Sequence, residues 1–348
     1  MTTTLLAAGG AGPANGEERP KTWIITDLSD KTLPGPNKEG TLNDPDDHSA
    51  MAGYLLMANE FDTLGIVVAS THRAAHASTP DQLRWADGYF GEAFRAELAN
   101  LNDAIGGFAE HLPIYQSAIK STSERYSTRR NYFSLQKYES IARLRDAAES
   151  LTDGDLLNVL CWGSLTEPAI FVNHCIATGR TGLLAKTRFI AHWTNSSLSQ
   201  GTPRHPERVA NCREDAKACA YLKRQAAAGL IDYRECGAIG QSAIVRCAPD
   251  GADYYEEFKV GRLGTLFVTG KFAHGRVDHS DAATYWVLLP GYGVYVDDIA
   301  ADGSNAPERE NANREAFCRA SGEIHDELRR RAILAAGRPT RRTTDLEN

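Results

Sequence analysis

Residues 43–61 read NDPDDHSAMAGYLLMANEF, three carboxylates within four residues followed by apolar side chains at helical spacing. Met51, Tyr54, Leu55 and Ala58 fall at i, i+3, i+4 and i+7, the stripe by which a helix packs onto a sheet. Short apolar runs flank this helix, KTWIITD at residues 21–27 and LGIVVA at residues 64–69. Strand, helix, strand predicts two parallel neighbouring strands with a right-handed connection. The pattern recurs as LLNVLCW (156–162), a helix over 166–178, TRFIAHW (187–193) and a helix over 213–228. The predicted fold is therefore α/β, a mostly parallel central sheet flanked by helices.

At 348 residues the chain is long enough to bury a full core without metal or disulfide staples. No apolar run approaches the roughly 20 residues of a membrane span. With 38 Lys plus Arg against 45 Asp plus Glu, the formal charge of −7 gives no general electrostatic reason to bind nucleic acid. Small molecules and cations are the expected partners. The seven cysteines are scattered and lack a C-x-x-C pair, so they read as reduced thiols. The first 20 residues have no basic segment ahead of their few apolar positions and read as a disordered leader, not a signal peptide. Gly10, Gly12 and Gly16 lie there without the preceding strand that a dinucleotide loop requires. A cytoplasmic location follows. A single α/β domain is expected over 21–335 and a polar tail over 336–348.

Between His72 and Asn131 the pattern loosens, and a helix resumes in SLQKYESIARLRDAAESL with Leu135, Tyr138, Ile141 and Leu144 along one side. Residues 117–134 carry Lys120, Arg125, Arg129 and Arg130 and read as a solvated loop, with a substrate lid as the alternative.

The acidic cluster has two readings. Asp44 can act as N-cap with Pro45 at the first helical position, and Asp46 and Asp47 then sit where the helix dipole favours negative charge. Capping accounts for one or two acids, whereas three within four residues repel one another unless a cation lies among them. A fourth, Asp27, ends the first strand, and ligand sites of open α/β sheets lie beyond the carboxyl ends of the strands. Oxygen ligands without His or Cys suit calcium or magnesium.

WIITD followed by DPDDHSA resembles the N-terminal signature of the nucleoside hydrolases, a strand ending in Asp and then D-P-G-x-D-D opening a helix. CWGSLTEPAI (161–170) resembles that family's strand exit and G-P-L-T-N turn, and DHSDAATYWVLL (278–289) its late His-Asp pair. The resemblance spans most of residues 21–289 and implies a Rossmann-like sheet, a bound Ca2+, N-ribohydrolase activity on a small-molecule nucleoside or glycoside, and a homodimer or homotetramer. It implies Asp47 as a calcium ligand, Asp46 as its neighbour that also meets ribose hydroxyls, Trp162 as a backbone carbonyl ligand and Asp281 as the late acidic ligand. By local pattern Asp44 matches the general base, and by distance from the strand Asp27 does, as a base, ligand or orienting acid; residues 28–43 separate them. Asp44 is the preferred base. Asn195 and Asn211 resemble ribose-binding asparagines, and Thr71 with His72 stand where a sugar contact is expected.

The chain departs from the family pattern at three places: no glycine follows D-P, Val209 stands where an acid is expected, and Ser280 splits the late pair His279-Ser280-Asp281. A divergent branch is implied. Cleavage of an N-ribosyl bond passes through a cation-like sugar, which needs nearby negative charge, an activated water and a proton for the departing base. His279 is the first expected proton donor and His72 the second, against the ordinary reading of a histidine as a core or surface residue. Asn211 fits a helix N-cap as well as a sugar contact, and the Trp162 indole fits simple packing. Two alternatives stand beside hydrolysis: a metal-containing sugar- or nucleoside-binding protein without turnover, and a magnesium phosphatase built on Asp27 and Asp30.

Overall fold

The structure, a computed structural model, describes residues 18–70 and 79–338. Most of the expected leader and tail, together with Thr71 and His72, lie outside the described residues.

Six strands form one parallel sheet: β1 (Lys21–Ile25), β2 (Asp62–Val68), β3 (Ile114–Gln116), β4 (Leu157–Cys161), β5 (Thr187–Ala191) and β6 (Asp232–Glu235). Their order is β3-β2-β1-β4-β5-β6, so the chain runs outward from β1 and then returns to lay β4 on β1's other side. Ile25 consequently pairs with Val67 and with Cys161. The strands read as continuous apolar runs because both faces of such a sheet are covered.

Alternate side chains serve the two layers. Ile24, Ile66, Leu160 and Ile190 face one core, shared with Met51 and Leu55 of helix α1 (Asp46–Leu56) and with Phe317, Ile324 and Leu328 of the long helix Pro307–Ala335. Trp23, Ile25, Val67, Val159 and Phe189 face the other, with Ile141, Leu144, Ile170 and Phe171. A two-stranded antiparallel ribbon, β7 (Lys271–Ala273) and β8 (Arg276–Asp278), lies apart from the sheet. His274 and Gly275 both take positive φ, 55° and 76°, as a tight two-residue hairpin turn demands. Among the described residues, no helix is long and apolar enough to cross a membrane.

The cysteine expectation is corrected. Cys212 is bonded to Cys219 and Cys247 to Cys318, leaving Cys161, Cys175 and Cys236 as buried thiols. Sequence spacing could not show this, because the 247–318 pair is made only when the long helix packs back on the segment after β6. The helix expected over 213–228 is two helices, Ala210–Glu214 and Ala216–Ala227, broken at Asp215. The Asp215 carboxylate accepts from the Leu165 N–H and the Thr166 hydroxyl, both at 3.1 Å, and from Arg125 at 3.3 Å. The expected solvated loop is thus partly anchored, and Ile119, Tyr126 and Tyr132 within it are buried. In the stretch read as loose, Leu83–Ala86, Asp87–Gly91 and Glu92–Ala104 form one helical run with a π turn in its middle.

Candidate metal centre

The β1 exit and the start of α1 are brought together by the intervening loop. Asn43 donates from its amide to the Asp27 carbonyl at 2.6 Å, and His48 bonds the Ser29 carbonyl through Nε2 at 2.8 Å. Residues 28–43 therefore fold back and return the chain to the carboxyl end of β1. Asp44 does not cap α1: Pro45 is the capping residue, and no side chain makes the cap hydrogen bond. Asp46 and Asp47 lie in the first turn of α1, where the helix dipole favours negative charge, but the dipole alone does not relieve the mutual repulsion of the acids.

Asp46, Asp47 and Asp281 each offer a carboxylate oxygen, and the three oxygens lie within 4.8 Å of one another. Asp47 and Asp281 are buried. In the polypeptide alone, burial first and neighbouring carboxylates second push all three well above the usual carboxylate range. The neighbours are Asp44, Asp278 and Asp27 around Asp46, and Asp27 and Asp281 around Asp47. Such a set fits a hard divalent cation: its donors are oxygens, and a double positive charge among them offsets both burial and repulsion.

Asp27 is buried and in hydrogen-bond contact with Asp47. The Thr26 hydroxyl donates to Asp47 Oδ1 and accepts from the Leu28 N–H, which fixes the Asp47 rotamer from beneath. Trp162 follows β4, its N–H on the Ile25 carbonyl at 3.0 Å. Its indole does more than pack, donating to Thr284 Oγ1 at 2.8 Å, and Thr284 in turn donates to the Asp281 carbonyl at 2.8 Å. Asp281 is thereby tied to the end of β4.

Asp44 turns to Lys271, whose Nζ lies 2.9 Å from Asp44 Oδ1, 3.5 Å from Asp278 Oδ2 and 3.7 Å from Asp46 Oδ2. Burial opposes the ammonium charge, but Asp46, Asp44 and Asp278 outweigh it and raise the Lys271 pKa. Lys271, Asp278 and His192 have no role among the expectations from sequence, although Asp278 opens the quoted DHSD run. His192 directly follows β5, in the quoted TRFIAHW run, with Nε2 3.9 Å from Asp281 Oδ1. Burial, and then Lys271, push its pKa down to about 3, so it is neutral. Its position just past a strand end was the available signal.

His279, the first expected proton donor, packs inside the protein. It is fully buried, its Nε2 is 3.0 Å from His325 Nε2, and its ring packs edge-on to Phe267. Burial and His325 hold its pKa well below the ordinary histidine value, so it faces the core as a neutral ring. Asn195 is buried, its side-chain amide donating to the Gly303 carbonyl at 3.3 Å while its backbone carbonyl accepts from Asn305 at 3.0 Å. Asn211 is not the N-cap, which is Val209; its amide donates to the His192 carbonyl at 3.0 Å. Asp30, the second acid of the phosphatase alternative, accepts from the Thr32 N–H at 2.9 Å and hydroxyl at 2.7 Å in its own turn.

No protein-family model and no curated sequence matches the chain. A nucleoside hydrolase-related hypothetical protein from Saccharophagus degradans, associated with carbohydrate metabolism, superposes with a TM-score of 0.63 at 15% identity, covering 92% of this chain and 72% of that one. An effector protein matches with a TM-score of 0.43 at 14% identity over 92% of this chain and 93% of its own. A type III effector protein complexed with adenosine diphosphate ribose matches with a TM-score of 0.45 at 14% identity, over 88% and 95% respectively. The first of these shows that the chain has a nucleoside hydrolase-like fold.

Proposed function

We propose that the protein is a calcium-dependent hydrolase of an N-ribosyl or related glycosyl bond in a small molecule. The observation that carries this reading is the convergence of Asp46, Asp47 and Asp281 from distant parts of the chain at the carboxyl end of a parallel sheet. Asp46, Asp47 and Asp281 would hold the ion, with the Trp162 carbonyl as a further donor. Bound there, a divalent ion polarises a water and orients sugar hydroxyls.

The residues themselves do the rest. Asp27, in contact with Asp47, would take the proton from the attacking water. Asp44 is the weaker base because its carboxylate is paired with the Lys271 ammonium. The surrounding aspartates supply the negative field that a cation-like sugar needs. His192, neutral at the rim of Asp281, can donate or accept a hydrogen bond there without adding charge.

The substrate panel includes nucleosides, from the fold, and other glycosides, from the carbohydrate association of the Saccharophagus protein. Reducing sugar is measured with calcium and with chelator. Calcium-dependent release is the expected result; release that survives complete calcium removal refutes the metal role. The placement of His279 in the core favours a second reading, a sugar-binding protein without turnover. Calorimetric ligand heat with no product identifies that case.

A further inference from the structure

Lys271 opens β7 and Asp278 closes β8, and the two residues pair across one rung of the ribbon. Among the described residues, Lys271 is the one lysine or arginine paired with the aspartates of the centre, reaching Asp44, Asp278 and Asp46. Asp46 is held in common. Its Oδ2 faces the ammonium at 3.7 Å, and the same carboxylate belongs to the group formed with Asp47 and Asp281. A lysine head is a compact point charge on a flexible stem, well suited to stand beside carboxylates as a counter-ion.

We propose that Lys271 is a tethered cation that competes with the divalent ion for Asp46 and so sets the ion affinity of the centre. This rests on the reading that Asp46, Asp47 and Asp281 take a divalent ion. Two positive charges leaning on one carboxylate repel each other, the more strongly because the site is partly buried. Lys271 contributes positive charge to Asp44, Asp278 and Asp46. On ion entry Asp46 is drawn to the ion, and Lys271 retains only Asp44 and Asp278. Lys271 is a positioning residue, and its effect belongs to ion affinity, not to the bond-breaking step.

Calcium titration calorimetry and thermal melting of the full chain test the proposal with wild type and Lys271→Gln. The variant is expected to bind calcium at least about tenfold tighter, to melt lower than wild type in chelator, and to recover at saturating calcium. Equal calcium affinity of the two proteins overturns the proposal while leaving the ion site intact. So does a melting loss that is the same with and without calcium, which marks a merely structural lysine. Absence of calcium binding in both proteins overturns the ion reading and this proposal with it. Should Lys271→Gln fail to fold in either condition, wild-type protein decides: reductive methylation of Lys271, read by mass spectrometry, is expected to be faster in calcium than in chelator. Unchanged labelling overturns the proposal.

Discussion

Asp47, in the first turn of α1, and Asp281, just beyond β8, hold carboxylate oxygens within 4.8 Å of each other although they come from distant parts of the chain. Neither is satisfied by a backbone cap, and their carboxyls are driven upward by burial and by each other's neighbours. Asp281→Asn removes one oxygen ligand and one charge from this set. At calcium a hundredfold above its dissociation constant, wild type is expected to gain about 2.7 kcal/mol of stability. The variant is expected to lose most of that gain, and a full calcium-induced rise in its melting temperature would take Asp281 out of the ligand set.

Asp27→Asn and Asp44→Asn separate the two candidate bases. Removal of a general base typically lowers the rate by about a hundredfold to ten-thousandfold. That loss is expected in kcat for Asp27→Asn, with folding retained by circular dichroism. Asp44→Asn is expected to lose less, because Lys271 already engages that carboxylate. The reverse order of the two kcat values would restore Asp44 as the base.

Glu235, at the end of β6, predicts a pH dependence. Burial raises its pKa from 4.5 to about 7, against the opposing influence of Lys223, Thr194 and Gly237. The folded protein therefore keeps a proton that the unfolded chain releases, and the resulting stability is complete below about pH 4.5 and lost as pH rises through 7. The stability of wild type relative to Glu235→Gln should fall by about 3 kcal/mol across this window, as read by urea unfolding. A difference that is flat with pH shows an ordinary carboxyl.

The Cys247–Cys318 bridge closes a span of 71 residues. Replacing both cysteines by alanine should lower stability by about 4 kcal/mol on the chain-entropy estimate. A non-reduced digest is expected to contain the linked peptides. Two free thiols in their place would return the pair to the reduced state read from their spacing.

The sheet was legible because its strands are short apolar runs separated by helical periodicity, and WIITD, LLNVLC and TRFIA lie where they were expected. The run through Leu83–Ala104 was hidden because Gly88 and Gly91 interrupt its pattern at the π turn. The acids of DPDD pointed to the centre by their mutual repulsion, a property that local sequence carries. Lys271 did not, since one lysine in a short exposed-looking hairpin has no spacing rule to link it to residues more than two hundred positions earlier. For His279, nearness to Asp281 in sequence does not fix the side on which the ring falls, and the ring falls toward His325.

The ribbon's turn has a remote electrical effect. Because successive side chains of a strand point to opposite sides, sliding β7 by one position against β8 would exchange Lys271 for the Phe272 ring on the face that meets the aspartates. An aromatic ring carries no ammonium, so Asp44, Asp46 and Asp278 would lose the Lys271 charge together. The left-handed backbone at His274 and Gly275 locks the alignment, and a bend at the tip of the hairpin thereby governs the charge balance at its root.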